Sequence, residues 1–155
     1  MATPGGLSAD DLPSRKLVLD MFTEIAILEH LLRKRLEPME SHGLTAQQFG
    51  VVNYFIRLGK TEEKLSALVW SFQVEEDAMR KTVDFLVANG WLTIDQANDP
   101  CVRPTESGRA RHGEAISQMA PEVLPLLEEF DVEDLRTTTR VLMELRRTLE
   151  NLPDR

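Results

Sequence analysis

The stretch "VEEDAMRKTVDFLVANGWL", Val74 to Leu92, sets charges of both signs along one helical repeat. Glu75, Glu76 and Asp77 lead, and Arg80 and Lys81 follow one turn later. A guanidinium such as that of Arg80 can donate to a guanine edge, and an ammonium such as that of Lys81 can neutralise a phosphate. Carboxylates do the reverse: at neutral pH they only accept hydrogen bonds, and they repel phosphate. They suit a helix N-terminus, where each contributes about 0.3–1 kcal/mol against the macrodipole, and one of them can accept from cytosine N4. The same residues also read as a solvated face, with Asp77 pairing Lys81 and Asp84 pairing Arg80 four residues apart. Arg103 is the one cation between residues 82 and 108, and it too is open to two readings, phosphate contact or solvated position.

Other chemistries are poorly supplied. Ser66 and Ser71 have no His–Asp partners at suggestive spacing, no glycine-rich phosphate loop occurs, and no carboxylate pair is set off by an apolar cleft signal. No enzyme is expected. Cys101 is the single cysteine, which leaves neither a disulfide framework nor a cysteine-rich zinc site. His30, His42 and His112 are scattered without metal-ligand spacing, so neither metal nor cofactor is expected. The run Arg33, Lys34, Arg35 reads as a solvated helix face, and Arg146 and Arg147 suit the C-terminal end of a last helix.

The elements that must position these groups follow from periodicity and punctuation. Residues 1–13, with Pro4, Gly5, Gly6 and Pro13, are expected to be a loose arm. From Leu17 to Met39 apolar residues recur at steps of three and four over about six turns, with Leu17, Ile27 and Leu31 as a flanking stripe. A glycine stop at Gly43 and a Thr45–Gln48 capping box open a helix over 46–58, with Phe49, Val52, Phe55 and Ile56 inward. Thr61 is expected to cap a short third helix carrying Leu65, Leu68, Val69 and Phe72. A tight turn then leads to the helix over about 75–89, with Met79, Val83, Leu86 and Val87 inward. Gly90, "WLTI", the turn "DQANDP" and "CVRPT" form a β-hairpin wing, with Trp70 and Trp91 read as packing residues. A long helix from Ser107 meets Pro121 and Pro125, where a kink or break is expected. Asp131 caps a final helix.

The fold class is therefore mainly α with a small β-hairpin wing: a winged helix-turn-helix with long N- and C-terminal dimerisation helices. Its segments are the arm at 1–13, a dimerisation helix at 14–43, the winged lobe at 44–108 and C-terminal dimerisation helices at 109–155. The terminal helices carry more apolar face than one 155-residue subunit is expected to cover, which points to a homodimer, with self-coverage within one subunit as the alternative. No stretch reaches the roughly 18 apolar residues of a membrane span. The first residues lack the basic and apolar regions of a secretion signal, so the cytoplasm is the expected compartment. Net charge is −8, split −2, −3 and −3 over residues 1–43, 44–108 and 109–155. No segment offers the cationic excess usual in a DNA-binding lobe.

In order and spacing, these residues resemble the MarR-type transcriptional regulators. "LTAQQFGVVNYF" is similar to that family's second helix, and "LSALVWSFQV" and "MRKTVDFLVANGWL" to its helix-turn-helix. "VRPTESGRA" resembles the strand and helix start after the wing, and "FDVEDLRTTTRVLMELRRTLENL" the closing helix. The resemblance spans about Leu17 to Leu152. It implies a dimeric winged helix on pseudo-palindromic double-stranded DNA, with Arg80, Lys81 and Arg103 as DNA contacts. It also implies a small aromatic effector between lobes, for which His30 is the candidate; a plain surface or core histidine is the alternative. Two departures stand out. "DQANDPC" is shorter than the family's wing and has no Arg or Lys, and Glu75, Glu76, Asp77 and Ala78 replace the usual hydroxyl residues. A second function class therefore stays open: a non-DNA-binding acidic interaction module on the same scaffold, docking a partner protein.

Overall fold

In a computed structural model, residues 5–36 and 43–153 are described. The chain divides into two units, residues 1–40 and 41–155. The first is carried by α1 (Leu12–Leu36). The Asp11 carboxylate accepts from the Ser14 backbone N–H at 3.2 Å and its hydroxyl at 2.8 Å. Pro13 sits in the first turn, where no intrahelical donor is needed. The helix thus begins inside the stretch expected to be a loose arm. Val18, Met21 and Ile25 are half-buried, whereas Leu28 and Leu31 stay 53% and 54% exposed, so much of the apolar arc lies open. Arg33 pairs with Glu29 at 2.6 Å on the solvated face expected for that run. Met39, at the end of the stripe, lies outside the described residues.

The second unit opens with α2 (Ala46–Leu58), where the Thr45–Gln48 box closes in both directions and Gly59 ends the helix at φ +63. Val51, Val52 and Phe55 are buried, while Phe49 and Ile56 are only partly so. Thr61 does not cap the next helix. Instead Glu63–Lys64 form a short strand β1, and α3 (Leu65–Phe72) starts directly after it. The turn at 73–75, with Gln73 left-handed at φ +50, joins α3 to α4 (Glu76–Ala88). Strands β2 (Leu92–Ile94) and β3 (Cys101–Pro104) follow. The sheet is antiparallel in the order β1-β3-β2, three strands rather than a bare hairpin. Cys101 begins a strand and is buried.

The core gathers Val51, Val52, Phe55, Leu65, Leu68, Met79, Val83, Leu86, Trp91, Leu92 and Val102, each worth about 1.5–3 kcal/mol for a side chain fully removed from water. Trp91 is a packing residue, with the Arg111 guanidinium 4.0 Å from its ring centroid. Trp70 is not: it is 49% exposed. Helix α5 (Glu106–Val123) is capped by Thr105 and passes through Pro121 before giving way to a 3-10 turn (Leu124–Leu126) that holds Pro125. The break therefore falls at the second proline. Gly108 lies so close to the Trp91 carbonyl that a methyl there would collide with it. Helix α6 (Val132–Glu150) begins at Asp131, whose carboxylate accepts from the Glu133 and Asp134 N–H groups. No residue of α6 is buried, although Val132, Leu142 and Leu149 are 59%, 44% and 53% exposed apolar residues.

Candidate nucleic-acid interface

Packing fixes which face of α4 is available. Met79, Thr82, Val83 and Leu86 seal its inner side. Glu75, Glu76, Asp77, Lys81 and Asp84 are exposed on the other side, with Arg80 half-buried. Glu76 and Asp77 occupy the first turn, where their charge opposes the helix dipole favourably. The pairs expected between Asp84 and Arg80 and between Asp77 and Lys81 do not form. Arg80 instead reaches back to Glu76 at 3.9 Å. Side chains of a helix lean toward its N-terminus, and Glu four residues ahead of a cation is the favoured order. Among the described residues, no ion pair joins Lys81.

The two wing carboxylates have internal duties. Asp95 accepts from the N–H of Cys101 at 3.0 Å and of Ala97 at 3.2 Å, closing the β2–β3 loop. Asp99 crosses to α3 and accepts from the Ser66 hydroxyl at 2.6 Å and its N–H at 3.2 Å. With the Leu65 N–H donating to the Pro100 carbonyl at 2.8 Å, the loop supplies the cap that Thr61 does not. These hydrogen bonds, from Cys101 to Asp95 and from Ser66 to Asp99, hold both carboxyls below the usual range.

Arg103 sits on the central strand with carboxylates on two sides. Its Nε donates to Glu62 Oε2 at 3.0 Å, its NH2 lies 2.8 Å from the same oxygen, and its NH1 lies 3.9 Å from Asp95 Oδ2. Nearby, Lys60 donates to Glu63, and the Tyr54 hydroxyl donates to the same carboxylate at 3.2 Å. Burial is the largest single influence on Glu63 and works against its charge, but the hydrogen bonds from Lys60, the Lys64 N–H and Tyr54, with the Lys60 charge, together outweigh it and lower its pKa; the Lys60–Glu63 bond also raises Lys60.

His30 is exposed on α1, and among the described residues it makes no hydrogen bond or ring contact. His112 is the histidine with a built environment. It is buried on α5, its Nε2 lies 2.9 Å from Asn53 Oδ1 of α2, and its ring stacks on Phe49 with centroids 5.1 Å apart. Burial pushes its pKa below the ordinary value. Burial likewise pushes the Cys101 thiol up, away from the reactive thiolate. Among the described residues, no His, Cys, Asp and Glu cluster is placed to hold a metal, and no helix is long and apolar enough to cross a membrane.

No family model matches the chain, and no curated protein matches its sequence. Solved structures match its shape. AbfR of Staphylococcus epidermidis superposes with a TM-score of 0.74 at 16% identity, over 94% of this chain and 100% of that one. The Staphylococcus aureus MarR, in complex with salicylate and kanamycin, gives 0.72 at 15% identity, over 86% and 93%. A MarR family protein from Bacillus stearothermophilus gives 0.68 at 18% identity, over 87% and 96%. The fold is that of the MarR-type winged helix.

Proposed function

We propose that two copies of this chain pair through the open apolar faces of α1, α5 and α6 and present two α4 helices to pseudo-palindromic duplex DNA. The protein would act as a cytoplasmic transcriptional regulator, with Arg80, Lys81 and Arg103 as its DNA-facing residues. The observation that carries this reading is the tight α3–α4 joint leading into a three-stranded sheet, which seals one face of α4 and leaves the other open. The likeness to known regulators supports it. The test is titration of a labelled mixed-sequence duplex. Binding at about 50 mM salt that weakens steeply by about 200 mM supports the reading, and no binding at the lower salt rejects it.

One observation favours a second reading. Arg80 and Arg103 are already paired within the chain, and the α4 face holds more carboxylates than cations. An acidic dimeric module docking a cationic partner protein would present such a surface, and it would leave the duplex unbound at low salt. Effector control belongs to the first reading. Because the Staphylococcus aureus structure holds salicylate, that aromatic anion is the probe: it should raise the melting temperature, and His30→Ala should abolish the rise.

A further inference from the structure

The register of the small sheet makes neighbours of two residues 41 apart in sequence. Strand β1 pairs with β3 as Glu63 opposite Val102 and Lys64 opposite Cys101. Continuing that antiparallel register one step brings Glu62 beside Arg103, where one carboxylate oxygen accepts from Nε at 3.0 Å and lies 2.8 Å from NH2. Asp95 stands on the other side of the same guanidinium. Both partners of the Glu62 pair are about half exposed, with side chains 46% and 55% accessible, so the pair sits where a ligand can reach it.

We propose that Glu62 is an internal competitor for Arg103, a latch that withholds the wing guanidinium until a phosphate oxygen displaces the carboxylate. This rests on the DNA reading above and concerns the regulation of that same site. A phosphate diester offers the oxygens that Glu62 now supplies, and an exposed ion pair contributes little to stability, so exchange is cheap in the fold's own terms. The latch makes DNA affinity lower than the cation count implies. It adds a carboxylate that must be pushed aside as the wing approaches the backbone.

Removing the competitor tests it. Arg103 meets phosphate in both proteins once the carboxylate is displaced, so Glu62→Gln recovers the cost of breaking an exposed ion pair, about three- to fivefold in affinity at low salt and less as salt screens the pair. The full chain is titrated, as wild type, Glu62→Gln, Arg103→Gln and the double variant, against a fluorescein-labelled mixed-sequence duplex about three helical turns long. Asp84→Asn measures the effect of deleting an exposed carboxylate from α4. The expected result is a gain of about three- to fivefold in Glu62→Gln at low salt, shrinking to the Asp84→Asn level once Arg103 is gone. Wild-type binding with no gain, or with the same gain without Arg103, overturns the latch and leaves the DNA reading standing. Failure of every variant to bind at low salt overturns both.

Discussion

The double substitution Glu75→Lys and Glu76→Lys reverses the charge at the front of α4 and probes whether that end faces phosphate. Both side chains are exposed, and Glu76 is the residue that holds Arg80 at 3.9 Å. The variant therefore presents two new cations and releases a third. If all three meet phosphates, the salt slope steepens by roughly three per subunit, at about 0.9 for each contact. Affinity at low salt then rises by two orders of magnitude or more, on the order of tenfold per contact. The fold weakens meanwhile, because cations replace anions at a helix N-terminus, at about 0.3–1 kcal/mol for each charge lost and a like amount for each gained. Fluorescence anisotropy across a salt series measures the first effect, and thermal melting measures the second. An unchanged slope would mean that the front of α4 points away from the backbone. Weaker binding would mean that these carboxylates read bases by accepting from cytosine. Either result refutes the reasoning.

Two further outcomes follow from the packing. Gly108→Ala places a methyl against the Trp91 carbonyl, which is backbone and cannot swing aside; overpacking of this kind costs about 2–3 kcal/mol, so melting followed by circular dichroism should fall by roughly 5–10 °C. His112 titrates below its ordinary value of 6.5 because it is buried, so the unfolded chain binds its proton first as pH falls. The stability His112 contributes is full above about pH 6.5 and is lost as pH drops through the lowered folded value. Urea midpoints should accordingly be lower at about pH 5 than at pH 7, and His112→Phe, which keeps the ring stack on Phe49, should reduce that difference; an undiminished difference assigns the effect to other groups.

Local signals in the sequence carried the helices well. The Thr45–Gln48 box and the Asp131 cap both act within a few residues of their partners, and each is found where it was expected. What escaped was contact across the chain. Two residues, Glu63 and Lys64, have no period to read, and they form a strand only because β3 arrives to pair with them. With that strand unseen, Glu62 had no reason to stand beside Arg103. The wing turn "DQANDP" gave no sign that Asp99 caps α3, because its partner Ser66 lies 33 residues back in the chain. The surroundings of His112 were hidden in the same way, since the partner that gives it a built environment, Asn53, is 59 residues distant. Trp70, read as core, projects from α3 because Leu65 and Leu68 take its inner face.

The reading above stands on pairing of two chains, because α6 buries nothing of its own among the described residues while carrying Leu142 and Leu149 on an open apolar face. Sedimentation equilibrium of the purified protein at micromolar concentration measures this directly. A single species of twice the mass of the 155-residue chain is the expected result. A stable species of one chain's mass across that range contradicts the account, since one copy cannot offer two α4 helices to a pseudo-palindromic site.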